Sequence, residues 1–219
     1  PRAVAVQDYG GSMSRLKLAG AALAAGRRLE LAPDEDNVGV LLPPGRAGTL
    51  VNLAIALTGR ASVNLNFTAG SQQLARKCSM ARIRTVVSAR AFLDRIGDPE
   101  LPVRMLMAED LVAGLSKPAV LARMAAVMVV PHGRLDRSRP QQVASIVFSS
   151  GTTDQPKGVQ LKHQQILANC DGVMEHLELR PGHDVLASAL PLFHSFGLVP
   201  GMWLCLVEGF TIAAHPDPM

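Results

Sequence analysis

Cysteines, long apolar runs and aromatic rings are all scarce in this 219-residue chain, in which Phe, Trp and Tyr together make up 4%. The three cysteines, Cys78, Cys170 and Cys205, are odd in number and too widely spaced for a metal knuckle. They read as reduced, buried thiols, which argues against a disulfide-stapled secreted scaffold. The longest apolar stretches are Ala119 to Val130, interrupted by Arg123, and Phe196 to Val207. Both fall short of the roughly 20 residues needed to cross a bilayer. The first residues show no charged segment followed by an apolar one, the pattern of a signal peptide. A cytoplasmic protein is the expectation. Net charge is +4, but the basic residues, among them Arg27-Arg28, Arg82, Arg84, Arg134, Arg137 and Arg139, are scattered and not interleaved with aromatics. That pattern suits a solvated surface and argues against a nucleic-acid partner. Neither an internal repeat nor a low-complexity segment is present.

What the chain does have is apolar content of 48%, enough for one sizeable core or part of a larger one. Helical and strand patterns alternate along it. Helices are expected over Ser14 to Leu31, Leu50 to Leu57, Ser71 to Ala81 and Glu109 to Leu115, and strands over Val38 to Leu42, Ala61 to Asn66, Arg84 to Ser88 and Val103 to Met107. Val120 to Val130 suits either element, and Gly133 to Gln142 reads as an exposed connector. Such alternation predicts an α/β fold, a layered and mostly parallel sheet with flanking helices.

One segment concentrates chemistry: Ser149-Ser150-Gly151-Thr152-Thr153-Asp154-Gln155-Pro156-Lys157-Gly158. It follows the buried-strand pattern Ala144 to Phe148 and precedes helical spacing over Lys162 to Leu179. Glycines at 151 and 158 permit positive φ and close backbone approach, and successive N–H groups in such a turn make a concave anion site. Ser149, Ser150, Thr152 and Thr153 add hydroxyls, and Lys157 adds a compact positive charge. Binding of a nucleoside triphosphate is the chemistry these residues imply. The plainer alternative is a surface turn rich in Ser, Thr and Gly. The spacing is not G-x-x-x-x-G-K-[ST], since Lys157 comes six places after Gly151 and Gly158 follows the lysine.

A second segment is Leu190-Pro191-Leu192-Phe193-His194-Ser195-Phe196-Gly197-Leu198. Taken alone, a histidine flanked by phenylalanines suits a core position as well as a functional one.

The first segment resembles the phosphate-loop signature of the AMP-forming, acyl-activating superfamily, approximately Ser/Thr-Ser-Gly-Thr-Thr-Gly-x-Pro-Lys-Gly. Asp154 stands where that family usually has glycine. Aspartate tolerates left-handed backbone but adds repulsion near phosphates. The second segment is similar to the family's Pro-x-x-His-x-x-Gly stretch. Further similarity over Asn64 to Gly70, Ser88 to Asp94 and His163 to Asn169 points within the superfamily to bacterial acyl-acyl carrier protein synthetases fused to 2-acylglycerophosphoethanolamine acyltransferases, with long-chain fatty acyl-CoA ligases as neighbours. Asn66 is equally suited to closing a turn, and His163 to the first turn of a helix.

This resemblance implies the front part of a large N-terminal AMP-binding domain over residues 1–219. The rest of that domain and a small C-terminal domain are expected outside it, as no Tyr-Gly-x-Thr-Glu segment is present. Such an enzyme joins a fatty acid to ATP as an acyl-adenylate and passes the acyl group to acyl carrier protein or CoA. The resemblance assigns nucleotide binding to Ser149, Ser150, Gly151, Thr152, Thr153, Lys157 and Gly158, with Thr153 near ATP-bound Mg²⁺. His194 would lie near the carboxylate and α-phosphate as the catalytic residue, with Phe193, Phe196 and Gly197 shaping the acyl site. Any membrane contact, at the inner face of a bacterial inner membrane, would come from regions outside these residues. Two other readings stay open: a noncatalytic nucleotide-binding domain, motivated by Asp154, and a phosphotransferase.

Overall fold

The computed structural model describes residues 3–130, 135, 137–149 and 156–216. Two sheets organise them. The larger has six strands in the order β6-β5-β3-β4-β7-β8. Its members are β3 (Asn37–Val40), β4 (Ala61–Asn64), β5 (Thr85–Ser88), β6 (Arg104–Met107), β7 (Val143–Ser149) and β8 (Lys157–Lys162). All neighbouring pairs are parallel except β7 and β8, which run antiparallel. The α/β, mostly parallel architecture is the one the sequence predicts.

Every residue of β4 and β5 is buried, as expected of strands covered on both faces. Their covers are α1 (Arg15–Arg28), α2 (Arg46–Leu57), α3 (Ser71–Met80), α4 (Arg90–Ile96) and α5 (Ala108–Ala113). The ambiguous stretch is helix α6 (Lys117–Val129), capped by the Ser116 hydroxyl, which accepts from the Ala119 N–H at 3.3 Å. It packs on α1. Ser14 caps α1 in the same way through Lys17 N–H. The Asn66 carboxamide oxygen accepts from the Thr68 N–H at 2.9 Å and its hydroxyl at 2.8 Å, closing the turn before α3.

The smaller sheet, ordered β2-β1-β10-β9, departs from the sequence reading. Its strands β1 (Val4–Asp8) and β2 (Gly11–Ser14) form a hairpin that the sequence patterns do not reveal. Parallel partners β9 (Val185–Ser188) and β10 (Thr211–Ala214) arrive far later in the chain. Between β8 and β9 lies α7 (His163–His176), beginning at His163 as expected. After β9 come α8 (Ser195–Leu198), a π-helical segment (Val199–Leu204) and α9 (Cys205–Glu208) in unbroken succession. Asp8 ties the smaller sheet to α2: its carboxylate accepts from Arg46 Nε at 2.7 Å and from the Arg46 N–H at 2.9 Å. A carboxylate at a helix N-terminus also meets the positive end of the dipole.

The three cysteines are free and buried. Among the described residues no helix is long and apolar enough to cross a membrane.

Candidate functional site

Carboxyl ends of parallel strands are where open α/β sheets bind ligands. Here Asn64 ends β4 and Ser149 ends β7. A small cavity of about 50 Å³ opens beside them, lined by Asn64, Asn66, Lys77, Phe148, Ser149, Phe193 and His194. The phosphate-loop segment and the histidine segment, 45 positions apart from Ser149 to His194, thus share one wall.

Ser150, Gly151, Thr152, Thr153 and Asp154 lie outside the described residues. Ser149 pairs with Lys157 at the mouth of the β7-β8 hairpin, and its hydroxyl donates to the Lys157 carbonyl at 3.5 Å. Lys157 is exposed. Gly158 corrects the sequence reading: it is not in a positive-φ turn but in the β8 ladder, opposite Phe148. A Cβ there would lie 3.2 Å from Ile146 Cγ2 and 3.4 Å from the Phe148 ring, so this glycine serves close packing over its neighbours. The antiparallel strand β8 lies between the loop and the helix, and the sequence patterns assign it no element; the short alternation Val159, Leu161 is its signal.

His194 caps α8 from extended backbone and is exposed. Its carbonyl accepts from Leu198 N–H at 2.9 Å, and its own N–H donates to the Pro191 carbonyl at 3.0 Å. The ring sits 4.5 Å from that of Phe193. Phe193 is buried and stacks edge-on with Phe67 at 5.1 Å, which meets Phe92 in the same way. This ring chain anchors the turn carrying His194 to the turn after β4.

Gly197 answers a steric demand. A Cβ at this position would stand 2.3 Å from the Pro191 carbonyl oxygen and 2.6 Å from that of Leu190, so only glycine lets α8 fold back on the turn. Phe196 parts company with Phe193. It is 66% exposed and lines a second cavity of about 340 Å³ with Leu161, Gln165, Ile166, Asn169, Ser195, Val199 and Pro200. Of the residues expected around the substrate, Phe193 and His194 line the small cavity, Phe196 lines the larger one, and Gly197 packs against the Leu190 and Pro191 carbonyls.

Lys77 and Asn64 are cavity residues that sequence reasoning missed. Burial holds the Lys77 ammonium below the usual lysine pKa. Its Nζ stands 5.7 Å from the centre of the Phe148 ring. Among the described residues no cluster of three or more His, Cys, Asp or Glu side chains could hold a metal. The donor set suits an anion, so a divalent ion such as Mg²⁺ would have to be held chiefly through that anion's oxygens.

The backbone superposes on o-succinylbenzoate coenzyme A synthetase from Bacillus subtilis, solved with AMP, at a TM-score of 0.78 over 99% of this chain and 53% of that one, with 16% identity. The AMP-binding enzyme family matches residues 1–218, and the chain belongs to it. A 132-residue stretch, 60% of the chain, is 32% identical to a nonribosomal peptide synthetase of Penicillium rubens, covering 5% of it. Another of 98 residues, 41% of the chain, is 33% identical to a long-chain-fatty-acid–CoA ligase of Xenopus laevis, covering 13% of it. The chain thus spans about half of the Bacillus synthetase, and its matches cover much smaller shares of the two curated relatives.

Proposed function

We propose that the whole protein activates a long-chain fatty acid with ATP and delivers it to a thiol, on acyl carrier protein or CoA. One observation carries this reading: the segment Phe193 to Phe196 separates a small polar cavity from a larger, mainly apolar one. A fatty acid has those two ends. Its tail would lie along Leu161, Ile166, Phe196 and Val199, and its carboxylate would reach past His194 to the side where Ser149 begins the phosphate loop. Membership of the AMP-binding family and the resemblance to a fatty-acid ligase support the same reading.

In the first step a carboxylate oxygen attacks the α-phosphorus of ATP and the bond to the β-phosphate oxygen breaks, giving acyl-adenylate and pyrophosphate. A thiol sulfur then attacks the acyl carbonyl, AMP leaves, and the thiol proton passes to solvent or a nearby base. Holding two anions in line is the main physical task. Ser149, Ser150, Gly151, Thr152, Thr153 and Lys157 would cradle the phosphates, with Mg²⁺ neutralising charge on their oxygens near Thr153, while Gly158 packs in the β8 ladder behind them. His194, on an anchored turn, would hydrogen-bond the carboxylate or α-phosphate. The domain is read as the front part of a larger adenylating domain.

The test is ATP–pyrophosphate exchange by the whole protein with a long-chain fatty acid, beside a Lys157→Ala/Thr153→Ala double variant. Exchange that depends on the acid and collapses in the variant is expected. Measurable ATP binding without exchange, for any carboxylate, would favour a noncatalytic nucleotide-binding domain. Release of ADP in place of AMP and pyrophosphate would indicate phosphotransfer.

A further inference from the structure

Lys77 belongs to neither motif, yet it stands in the wall of the small cavity opposite His194 and Ser149. Helix α3 fixes it there, because Leu74 and Cys78, on adjoining positions of the same helix, are 1% exposed and lock that face onto the sheet. The side chain runs inward and is half-buried, with its ammonium over the Phe148 ring. An aromatic face compensates only part of the hydration a lysine gives up on burial. Among the described residues no ion pair joins it to a carboxylate: Arg46 with Asp8, Arg84 with Asp34 and Arg90 with Asp110 pair without it.

The remaining polar groups of the wall differ in kind. Asn64 is engaged with Asn52, and the Asn66 oxygen is used by Thr68. Among the described residues lining the cavity, Lys77 is the one lysine or arginine. A volume of about 50 Å³ holds one small anionic group or a water or two, and not a whole nucleotide. The cavity is bounded by Ser149, the first residue of the phosphate-loop segment.

We infer that Lys77 is a second phosphate-binding lysine, contacting a phosphate of ATP from the α3 side of the cavity while Lys157 acts from the β8 side. This rests on the adenylation reading above. The half-buried ammonium is then a prepared countercharge, and the anion supplies the partner that the described protein groups do not. The contact is a charge-assisted hydrogen bond, stronger than a neutral one and effective only with the ammonium in place.

The experiment uses the whole protein with Lys77→Met, which keeps the chain length along Phe148, and Lys77→Arg, which keeps the charge. Pyrophosphate exchange is measured with ATP and the fatty acid varied separately. Lys77→Met is expected to raise KM for ATP about ten- to a hundredfold, the range for one hydrogen bond to a charged group. KM for the acid should stay within about twofold, and Lys77→Arg should recover much of the loss. Unchanged KM for ATP in Lys77→Met, or a loss that falls on the acid, overturns the inference. Direct ATP binding by calorimetry separates this from failure of the adenylation reading. If wild type binds ATP but does not exchange, a weakened ATP affinity in Lys77→Met still upholds the inference, and an unchanged affinity still defeats it. Should Lys77→Met fold poorly, Lys77→Gln carries the same expectations.

Discussion

Asn52 on α2 and Asn64 at the end of β4 exchange amide hydrogen bonds, Asn52 Nδ2 donating to Asn64 Oδ1 at 3.1 Å and Asn64 Nδ2 donating to Asn52 Oδ1 at 2.9 Å. Asn52 also donates to the Gly48 carbonyl at 2.9 Å. They are 0% and 4% exposed, and Asn64 forms part of the cavity wall. Removing one partner leaves a buried amide unsatisfied, which costs about 1–3 kcal/mol. Asn52→Leu should lose that much in denaturant unfolding. Asn52→Leu with Asn64→Leu should be less destabilised than the sum of the two single variants, because no orphaned amide remains.

Gly197 gives a second prediction. Its missing Cβ would lie 2.3 Å from one carbonyl oxygen and 2.6 Å from another, both backbone atoms that cannot swing away. Gly197→Ala should lower stability by at least about 1–3 kcal/mol, as overpacking does. The thermal midpoint should fall, and because α8 begins beside His194, exchange activity should fall with it even well below the new midpoint.

Phe196 should behave in the opposite way. At 66% exposure it adds little to the folded core, so Phe196→Asp should leave thermal stability nearly unchanged. On the proposed reading the variant should raise KM for a long-chain acid about tenfold or more and affect a short acid far less, since a buried large apolar side chain contributes about 1.5–3 kcal/mol. Equal effects on both acids would place the tail elsewhere.

The thiols supply the pH test. Burial pushes Cys78 and Cys170 from an ordinary 9.0 up to about 11, and Cys205 up to about 12. Between pH 9 and these values the unfolded thiols lose protons while the folded ones keep theirs. The folded state then binds more protons, so stability falls as pH rises through that window. Denaturant midpoints taken from pH 8 to pH 10.5 should decline, and less steeply in a Cys205→Ala variant. Alkylation by iodoacetamide at pH 8 should be negligible until the protein is unfolded.

Much of the larger sheet was legible because its strands are short apolar runs bounded by turn residues. Val38 and Val63, both 0% exposed, sit in such runs, and the expected boundaries differ from the observed ones by a few residues. Val120 to Val130 stayed ambiguous because periodicity alone does not separate a buried strand from a helix. Contact with α1 decided it. The β1-β2 hairpin escaped notice because what stabilises β1 is β10, whose Ile212 pairs with Val6 across 206 positions of sequence. Gly158 was misread for a related reason: glycine permits a positive φ without requiring one, and ladder pairing with Phe148 fixed an extended backbone.

By itself the sequence determined the fold class and, through the phosphate-loop and histidine segments, the family, because both are written in local order: residue types at fixed spacing on one turn. Tertiary structure alone decided what meets what. It set Lys77 beside Ser149 and His194, divided Phe193 from Phe196, and drew Arg27, Arg60, Arg123 and Arg137 to a single cavity. No spacing rule encodes such meetings. They follow from the packing of helix faces and sheet ends, where the burial of Leu74 and Cys78 aims a lysine that has no motif of its own.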